Sequence, residues 1–404
     1  MKRFDKNIII FIIAVVIVLV GLVNGEFAEK LLASFDKLTQ NFLQEDTFAA
    51  FAEFTDDVEA ASSQGLSYHK EFVDINSAVN KNMGTVVVTK DNLSVVKSKT
   101  GYLSYVREKI TKEILSKRAK SMKSLYEISK DNNADFLYVM APAKGYYMEY
   151  PENIEDYNKE NCDAFLLELE KENVPFYSLI GEMEKEEIPE EELFFVTDHH
   201  WKPEYAFWAA EKVAAELWKR YGFDYAKDKL NIGNYNQEVY EDWFLGSQGK
   251  KTGQYFTGLG VDDITLITPK FDTDFSVRYA GNPDTFRGSF EEVLIHKGNI
   301  EVKDFYEKNP YAAYLGGDYR EQIIQNNNNE KGKKVLILKD SFACAFAPFF
   351  ANVAQKIQLL DMRDFAEFKG ERIDVDKYIE AEKPDVVIVM YNGVPIDDAF
   401  YKMK

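Results

Sequence analysis

Three apolar runs near the C-terminus constrain the fold more than anything else in the chain. Lys334-Val-Leu-Ile-Leu338, Lys356-Ile-Gln-Leu-Leu360 and Asp385-Val-Val-Ile-Val-Met390 are short, rich in β-branched residues and largely unbroken by polar side chains. A strand with one face in water alternates apolar and polar residues, so near-continuous runs of this length read as strands buried on both faces. Helical stretches over 342–353 and near 375–381 separate them. Strand, helix and strand in alternation predict a parallel sheet covered by helices on both sides, an α/β domain. Asp135-Phe-Leu-Tyr-Val-Met-Ala-Pro142 reads as another buried strand, running into a loop at Ala143-Lys144-Gly145, and Val174-Pro-Phe-Tyr177 as a further short one.

The intervening segments are less regular. Helices are predicted over about 105–130, with Ile110, Ile114, Leu115 and Leu125 as the apolar stripe, over 161–172, and over 203–221 with Pro203 in the first turn. A short hairpin is expected between Gly84 and about Leu103. The acidic run Glu182–Glu192 reads as a solvated helix or loop, and Gln325–Asn329 as a polar loop. Glycines 246, 249, 253, 258 and 260, with strand-like Ile264–Ile267 and Glu291–Ile295, suggest a β-rich insertion at about 230–300.

At the other end, Lys2, Arg3 and Lys6 precede an apolar run from Ile8 to Val23. Asn7 and Asn24 can sit at the interfaces, bringing the segment close to the roughly 20 residues that span a bilayer. The basic flank should stay cytoplasmic, placing everything after Gly25 outside. Val23-Asn24-Gly25 is a poor cleavage site, so an uncleaved signal-anchor over 1–25 is expected ahead of a cleaved signal peptide. Residues 26–80 read as a membrane-proximal helical region and 81–404 as the α/β domain. A net charge of −19 repels nucleic-acid backbones, which excludes a nucleic-acid partner. Cys162 and Cys344 are far apart and lack metal-ligand spacing, so two free, buried thiols are expected rather than a disulfide framework.

Two of the four histidines are adjacent, in Thr197-Asp198-His199-His200-Trp201. Imidazole moves protons near neutral pH, and an aspartate is its usual orienting partner. On an extended segment Asp198 and His200 would share a face. His199 would then point away, a substrate contact at most, and Trp201 would pack beneath the motif. The best nucleophile candidate is Ser341, in Leu338-Lys339-Asp340-Ser341-Phe342-Ala343, where a strand ends and a helix begins. Ligands of parallel α/β sheets bind at such strand ends. The competing reading of Ser341 is a helix N-cap. Asp198, His199 and His200 as metal ligands would need further partners, yet only His69 and His296 remain, with no motif around either, so no metal is expected.

Together, Asp198-His199-His200-Trp201, Lys339-Asp340-Ser341-Phe342 and the N-terminal anchor resemble the DHHW family, SGNH hydrolase-like proteins related to the alginate O-acetyltransferases. The resemblance runs over roughly 80–404 and extends to Ala141-Pro142-Ala143-Lys144, Gly246-Ser247-Gln248-Gly249-Lys250-Lys251-Thr252-Gly253 and Leu359-Leu360-Asp361-Met362-Arg363. It implies an SGNH-hydrolase-like parallel sheet flanked by helices. It also implies a Ser–His–Asp triad with Ser341 as nucleophile, His200 as base and Asp198 as its orienter. The Ser341 and Phe342 amides would hold the oxyanion with a third donor, for which Asn392 is the candidate; Arg363 and Tyr391, after strand ends, are candidates to line the cleft. Two departures stand out: nucleophile and Asp-x-His occur in the reverse of the usual SGNH order, as in the alginate enzymes, and Lys339 stands where a glycine usually precedes Asp-Ser. The implied function is an extracytoplasmic, cofactor-free O-acetyltransferase or acetylesterase acting on a polysaccharide through an acyl-serine, with a membrane-bound O-acyltransferase as acetyl source. The alternative is a non-catalytic polysaccharide-binding or scaffold component that keeps the fold.

Overall fold

In chain order, the strands and main helices alternate through most of the sequence. A computed structural model describes residues 69–90, 93–363, 373–395 and 397–403. Helix α1 (His69–Asn82) leads into β1 (Val87–Lys90), β2 (Leu93–Lys97) and β3 (Leu103–Tyr105). Then come α2 (Lys112–Asp131), β4 (Asp135–Ala141), α3 (Asn158–Lys171), β5 (Phe176–Ser178) and α4 (Pro203–Tyr221). A β-rich stretch follows: β6 (Tyr235–Phe244), β7 (Asp262–Pro269), β8 (Phe275–Tyr279), β9 (Phe286–Gly288) and β10 (Glu321–Asn326). The chain ends with β11 (Lys334–Lys339), α5 (Ala343–Ala351), β12 (Lys356–Asp361), α6 (Val375–Glu382) and β13 (Val386–Asn392). The chain divides into two compact units at Asn80/Lys81. The expected anchor at 1–25 and most of the helical region at 26–80 lie outside the described residues. Among the described residues no helix is long and apolar enough to cross a membrane.

The central sheet has eight strands in the order β5-β4-β13-β11-β12-β10-β8-β9. The five from β5 to β12 are parallel, but β10, β8 and β9 pair antiparallel. The sheet is therefore mixed rather than parallel. The expected insertion at 230–300 is also only partly an insertion: β6 and β7 form a separate two-stranded sheet, while β8 and β9 extend the central one. Residues 290–293 are helical, not part of a strand, because Ser289 and Glu292 form a capping box that starts a helical turn.

The parallel strands bury both faces, as their composition requires. Leu137, Val139, Ile337, Leu359 and Ile388 face α4 and α5, whereas Phe136, Tyr138, Leu336, Val387 and Val389 face α2, α3 and α6. Cys344 and Cys162 are buried, unbridged, on opposite sides of this sheet. From β11 the chain crosses to β12 on one side, then returns to β13 on the other. That makes the carboxyl end of β11 a topological switch point, where a crevice opens between neighbouring strand ends. Ser341 is two residues past it.

Candidate active site

The segment carrying the two histidines is a closed loop, not an extended strand. Phe194 and Trp201 pair across its base, and the Lys202 amide donates to the Leu193 carbonyl. Within the loop the Asp198 carboxylate accepts the His200 backbone N–H at 3.0 Å, a turn typical of Asp. The same Oδ1 lies 2.6 Å from His200 Nδ1. Because the loop curls, His199 does not point away: its ring lies 3.9 Å from that of His200, centre to centre, and its Nδ1 meets Ser247 Oγ at 3.1 Å.

His200 Nε2 faces Ser341 Oγ at 2.7 Å. Asp198, His200 and Ser341 thus form one continuous hydrogen-bonded chain, its second link joining residues 141 apart in sequence. The Ser341 side chain does not cap α5; that helix begins at Ala343 and its N-terminus has no side-chain cap. Desolvation alone would raise the Asp198 pKa, but the two imidazoles and the Ser247 amide outweigh it and hold the group well below the ordinary value. Asp198 is therefore a carboxylate that keeps the His200 Nδ1 proton, leaving Nε2 as acceptor towards Ser341. His199 is pulled below the histidine range by desolvation and then by the second imidazole, so it is neutral. Asp198, His199 and His200 place three potential ligand atoms within 4.8 Å of one another. Both His200 nitrogens are already committed, to Asp198 and Ser341.

Three supports hold the loop. Buried Lys144, just after β4, donates to the carbonyls of Phe195 (2.7 Å), Val196 (3.2 Å) and Asp198 (2.7 Å) and to Gln248 Oε1 (3.2 Å). Burial pulls its pKa down to about 8, and the Asp262 and Asp198 carboxylates resist the shift. Replacing Lys144 with Met would leave the Phe195 and Asp198 carbonyls and Gln248 Oε1 without this donor, while the Val196 carbonyl keeps the Leu103 amide; we expect a loss of about 2–3 kcal/mol in urea denaturation. The second support is Asp262 at the start of β7, whose carboxylate accepts the amides of Val196 and Thr197 and the Thr197 hydroxyl. The third is Gly246-Ser247-Gln248-Gly249: the Ser247 amide donates to Asp198 Oδ2 at 2.6 Å, and the Gly246 and Gly249 amides donate to Thr197.

Gly246 is required by contact rather than by backbone angle. A Cβ there would fall 2.2 Å from Asp198 Cβ and 2.6 Å from both Asp198 Cα and the Thr197 carbonyl oxygen. Gly246→Ala must push Asp198 aside. A stability loss of about 1–3 kcal/mol is expected from overpacking. Turnover should fall about 10²-fold, since displacing a reacting geometry by an ångström costs about that much; denaturation and initial-rate measurements check both.

Below this hydrogen-bonded chain, Tyr311 stacks flat on His200, with 4.0 Å between ring centres and 15° between planes. Its hydroxyl and the Phe342 carbonyl oxygen both accept from buried Trp201 Nε1, at 3.2 Å each. Trp201 therefore does pack beneath the motif and ties it to the turn that carries Ser341. Tyr311 was not expected; an aromatic after Asn309-Pro310 has no sequence mark separating it from ordinary packing.

Several sequence candidates fall elsewhere. The Phe342 amide donates to Asp340 Oδ1 at 3.0 Å, so it is not available to an oxyanion. Asp340, pushed up to about 6 by burial, also accepts the Asn392 amide at 2.6 Å and so pins the ends of β11 and β13 together. The Asn392 side chain lines a narrow recess with Tyr105, Arg107, Lys144, His199 and Gln248. Tyr391 does not line the cleft: it is fully buried on the α2–α3 side, its hydroxyl donating to the Phe400 carbonyl. Arg363 is held by Asp361 and Asp318. Lys339 joins the same group, bonded to Asp318 and 3.5 Å from Asp361, because strand alternation turns it towards α5. The residue that departs from the family pattern is thus held in an ion-paired cluster, and among the described residues it makes no hydrogen bond to Ser341, His200 or Asp198. A separate concavity of about 370 Å³, beside Lys333 before β11, lies at the opposite edge of the sheet and shares no lining residue with the triad.

Residues 102–237 match the family described as SGNH hydrolase-like domain, acetyltransferase AlgX. The chain has an SGNH-like fold. The matched segment of this SGNH-like chain carries the histidine loop and Lys144 but stops short of Ser341. Bacillus cereus PatB1, solved with a sulfonyl adduct, has a similar structure: TM-score 0.62 at 20% identity, covering 79% of this chain and 99% of that one. A second PatB1 structure gives 0.61 at 22% over the same shares. A DHHW family protein from Eubacterium siraeum gives 0.54 at 18%, covering 78% of this chain and 96% of that one. No curated protein matches the sequence. The resemblance read from the sequence thus holds, with the sheet mixed rather than parallel.

Proposed function

We propose that the chain is a serine-dependent O-acetyltransferase or acetylesterase, acting outside the cytoplasm on a cell-surface or secreted polysaccharide through an acyl-serine intermediate. One observation carries this reading: Ser341 Oγ lies 2.7 Å from His200 Nε2, while Asp198 sits 2.6 Å from Nδ1. That is the arrangement in which a base can take a hydroxyl proton while its other nitrogen is held. Ser341 Oγ attacks the acyl carbonyl and its proton passes to His200 Nε2. His200 returns that proton to the departing alcohol, leaving an ester on Ser341. An incoming hydroxyl, from a sugar or from water, then attacks the ester, gives its proton to His200, and Ser341 leaves with that proton restored.

With the Phe342 amide engaged, the donors left for the oxyanion are the Ser341 amide and the Asn392 side-chain amide. Neither makes a hydrogen bond among the described residues. The description of the matched segment as an acetyltransferase domain favours transfer of acetyl groups; in this reading a membrane-bound O-acyltransferase is the donor and the N-terminal apolar run the anchor.

An arylsulfonyl fluoride tests the reading directly, since sulfonyl electrophiles capture activated hydroxyls and PatB1 has been solved with a sulfonyl adduct. Mass spectrometry of the full chain should find the label on Ser341, and His200→Ala should suppress it. An unlabelled Ser341 would instead support the non-catalytic, polysaccharide-binding reading.

A further inference from the structure

Arg107 has no role in the proton chain, yet it lines the recess beside His199 and Asn392. It also lines an adjoining groove of about 860 Å³ with Tyr105, Lys109, Ile110, Ile114 and Tyr157. Clefts that bind small ligands are typically about 300–1,000 Å³, so the groove has room for sugar units, and through Tyr105 and Arg107 it continues into the recess that His199 lines. Its walls mix aromatic and aliphatic surface with cations, and Lys109 lies over the Tyr157 ring.

The guanidinium of Arg107 makes no ion pair or hydrogen bond among the described residues; only its backbone amide is engaged, with Asp156. By contrast Arg118, Arg220, Arg287 and Arg363 each meet a carboxylate. Arg107 is also largely desolvated, which lowers its pKa. The nearby Asp156 carboxylate attracts this charge but makes no hydrogen bond to the guanidinium, so part of its lost hydration is left unreplaced.

A second donor in the recess is also unmatched. Gln248 is fully buried; its Oε1 accepts from Lys144, which fixes the amide orientation, and its Nε2 has no partner. With the Asn392 side chain, the recess presents three sets of N–H donors and no matching acceptor. Carboxylates do occur on the groove rim, but Asp398 is paired with Arg118; Asp156, behind it, accepts from the Arg107 amide and Asn158. Glu155 accepts from Tyr157, and Glu108 is exposed.

We infer that this recess and groove seat an acyl acceptor bearing an oxyanionic group, a carboxylate or phosphate on a sugar chain, with Arg107 as its principal anchor and Gln248 as a second donor. The inference rests on the proposed acyl transfer only for what the ligand does there, not for its binding. A guanidinium suits both anions because its fork meets two oxygens at once.

Binding of three oligosaccharides of one backbone tests it: cellotetraose, its C6-carboxylated form and its C6-phosphorylated form, titrated calorimetrically into the full chain carrying Ser341→Ala. At least one anionic form should bind about 10–100-fold more tightly than the neutral one, the range expected for a charge-assisted contact. The advantage should disappear in Arg107→Gln, persist in part in Arg107→Lys, and shrink with added salt. Which anionic form binds better tells carboxylate from phosphate. Equal or absent binding of both, or an advantage that survives Arg107→Gln, overturns the inference. If Ser341 takes the sulfonyl label but the three sugars bind alike, only the anion site is lost; if binding depends on Arg107 but Ser341 stays unlabelled, only the catalytic reading is lost.

Discussion

Alanine at Ser341 should reduce turnover of a small acetyl ester by about 10⁴–10⁶-fold, the range seen when a triad member that reacts or moves the proton is removed. The basis is a single atom. Among the described residues, Ser341 Oγ is the only hydrogen-bonding group at His200 Nε2, and without it the proposed base has no proton to take. The side chain caps no helix and fills no core position, so circular dichroism and the denaturation midpoint should stay close to those of the parent chain. Full activity in Ser341→Ala would remove the acyl-serine from the mechanism.

Asp198→Asn should be nearly as damaging, about 10⁴-fold in kcat, for a different reason. Oδ1 of Asp198 accepts both the ring Nδ1–H and the backbone N–H of His200, and Oδ2 accepts the Ser247 amide. An asparagine has one oxygen for these two sides. If its oxygen faces His200, its NH₂ meets the Ser247 N–H, donor against donor. If it flips, its NH₂ meets Nδ1 and can be satisfied only by the tautomer that carries the proton on Nε2, where a base must be free. Rate measurements would register the loss. Asp198→Glu, which restores charge but not reach, should not rescue it, because Gly246 packs directly against Asp198.

How much of this was legible in the sequence depends on how local each cue is. The parallel strands were legible because burial on both faces leaves a mark in every residue, as in Lys334–Leu338. The antiparallel edge was not. Strand β10 is Glu-Gln-Ile-Ile-Gln-Asn, polar at both ends, and only pairing with β8 and β12, distant in sequence, makes it a strand. The turn at 290–293 was misread although Ser289 and Glu292 supplied a capping signal. The acidic run at 182–192 looked solvated throughout. Yet Glu190 is buried beneath the 145–147 turn, accepting the amides of Gly145, Tyr146 and Tyr147.

In the site, Asp198, His200 and Ser341 were legible from residue type and from strand-end position, and the structure brings them together. What failed was direction. His199 was expected to alternate with His200, a rule of extended chain that a loop closed by Phe194 and Trp201 does not obey. Tyr391 and Arg363 were judged by their positions after strands, whereas burial and ion pairing take both out of the cleft. Tyr311, Lys144 and Asp262 support the loop from segments far from it, and no spacing in the chain links them to it.

The separation of the proton chain into a loop before α4 and a turn after β11 has a consequence for how reactivity arises. Joining them closes a stretch of 141 residues, and such long-range contacts form late, after the entropy of closure has been met. Until the last parallel strands dock against β4, Ser341 is a plain alcohol with no base beside it. On the proposed mechanism, reactivity would therefore be a property of the finished domain and not of any fragment. An acyl donor encountering a nascent or half-folded chain would find nothing to transfer its group to, and appearance of a sulfonyl-reactive serine would serve as a clock for the final step of folding.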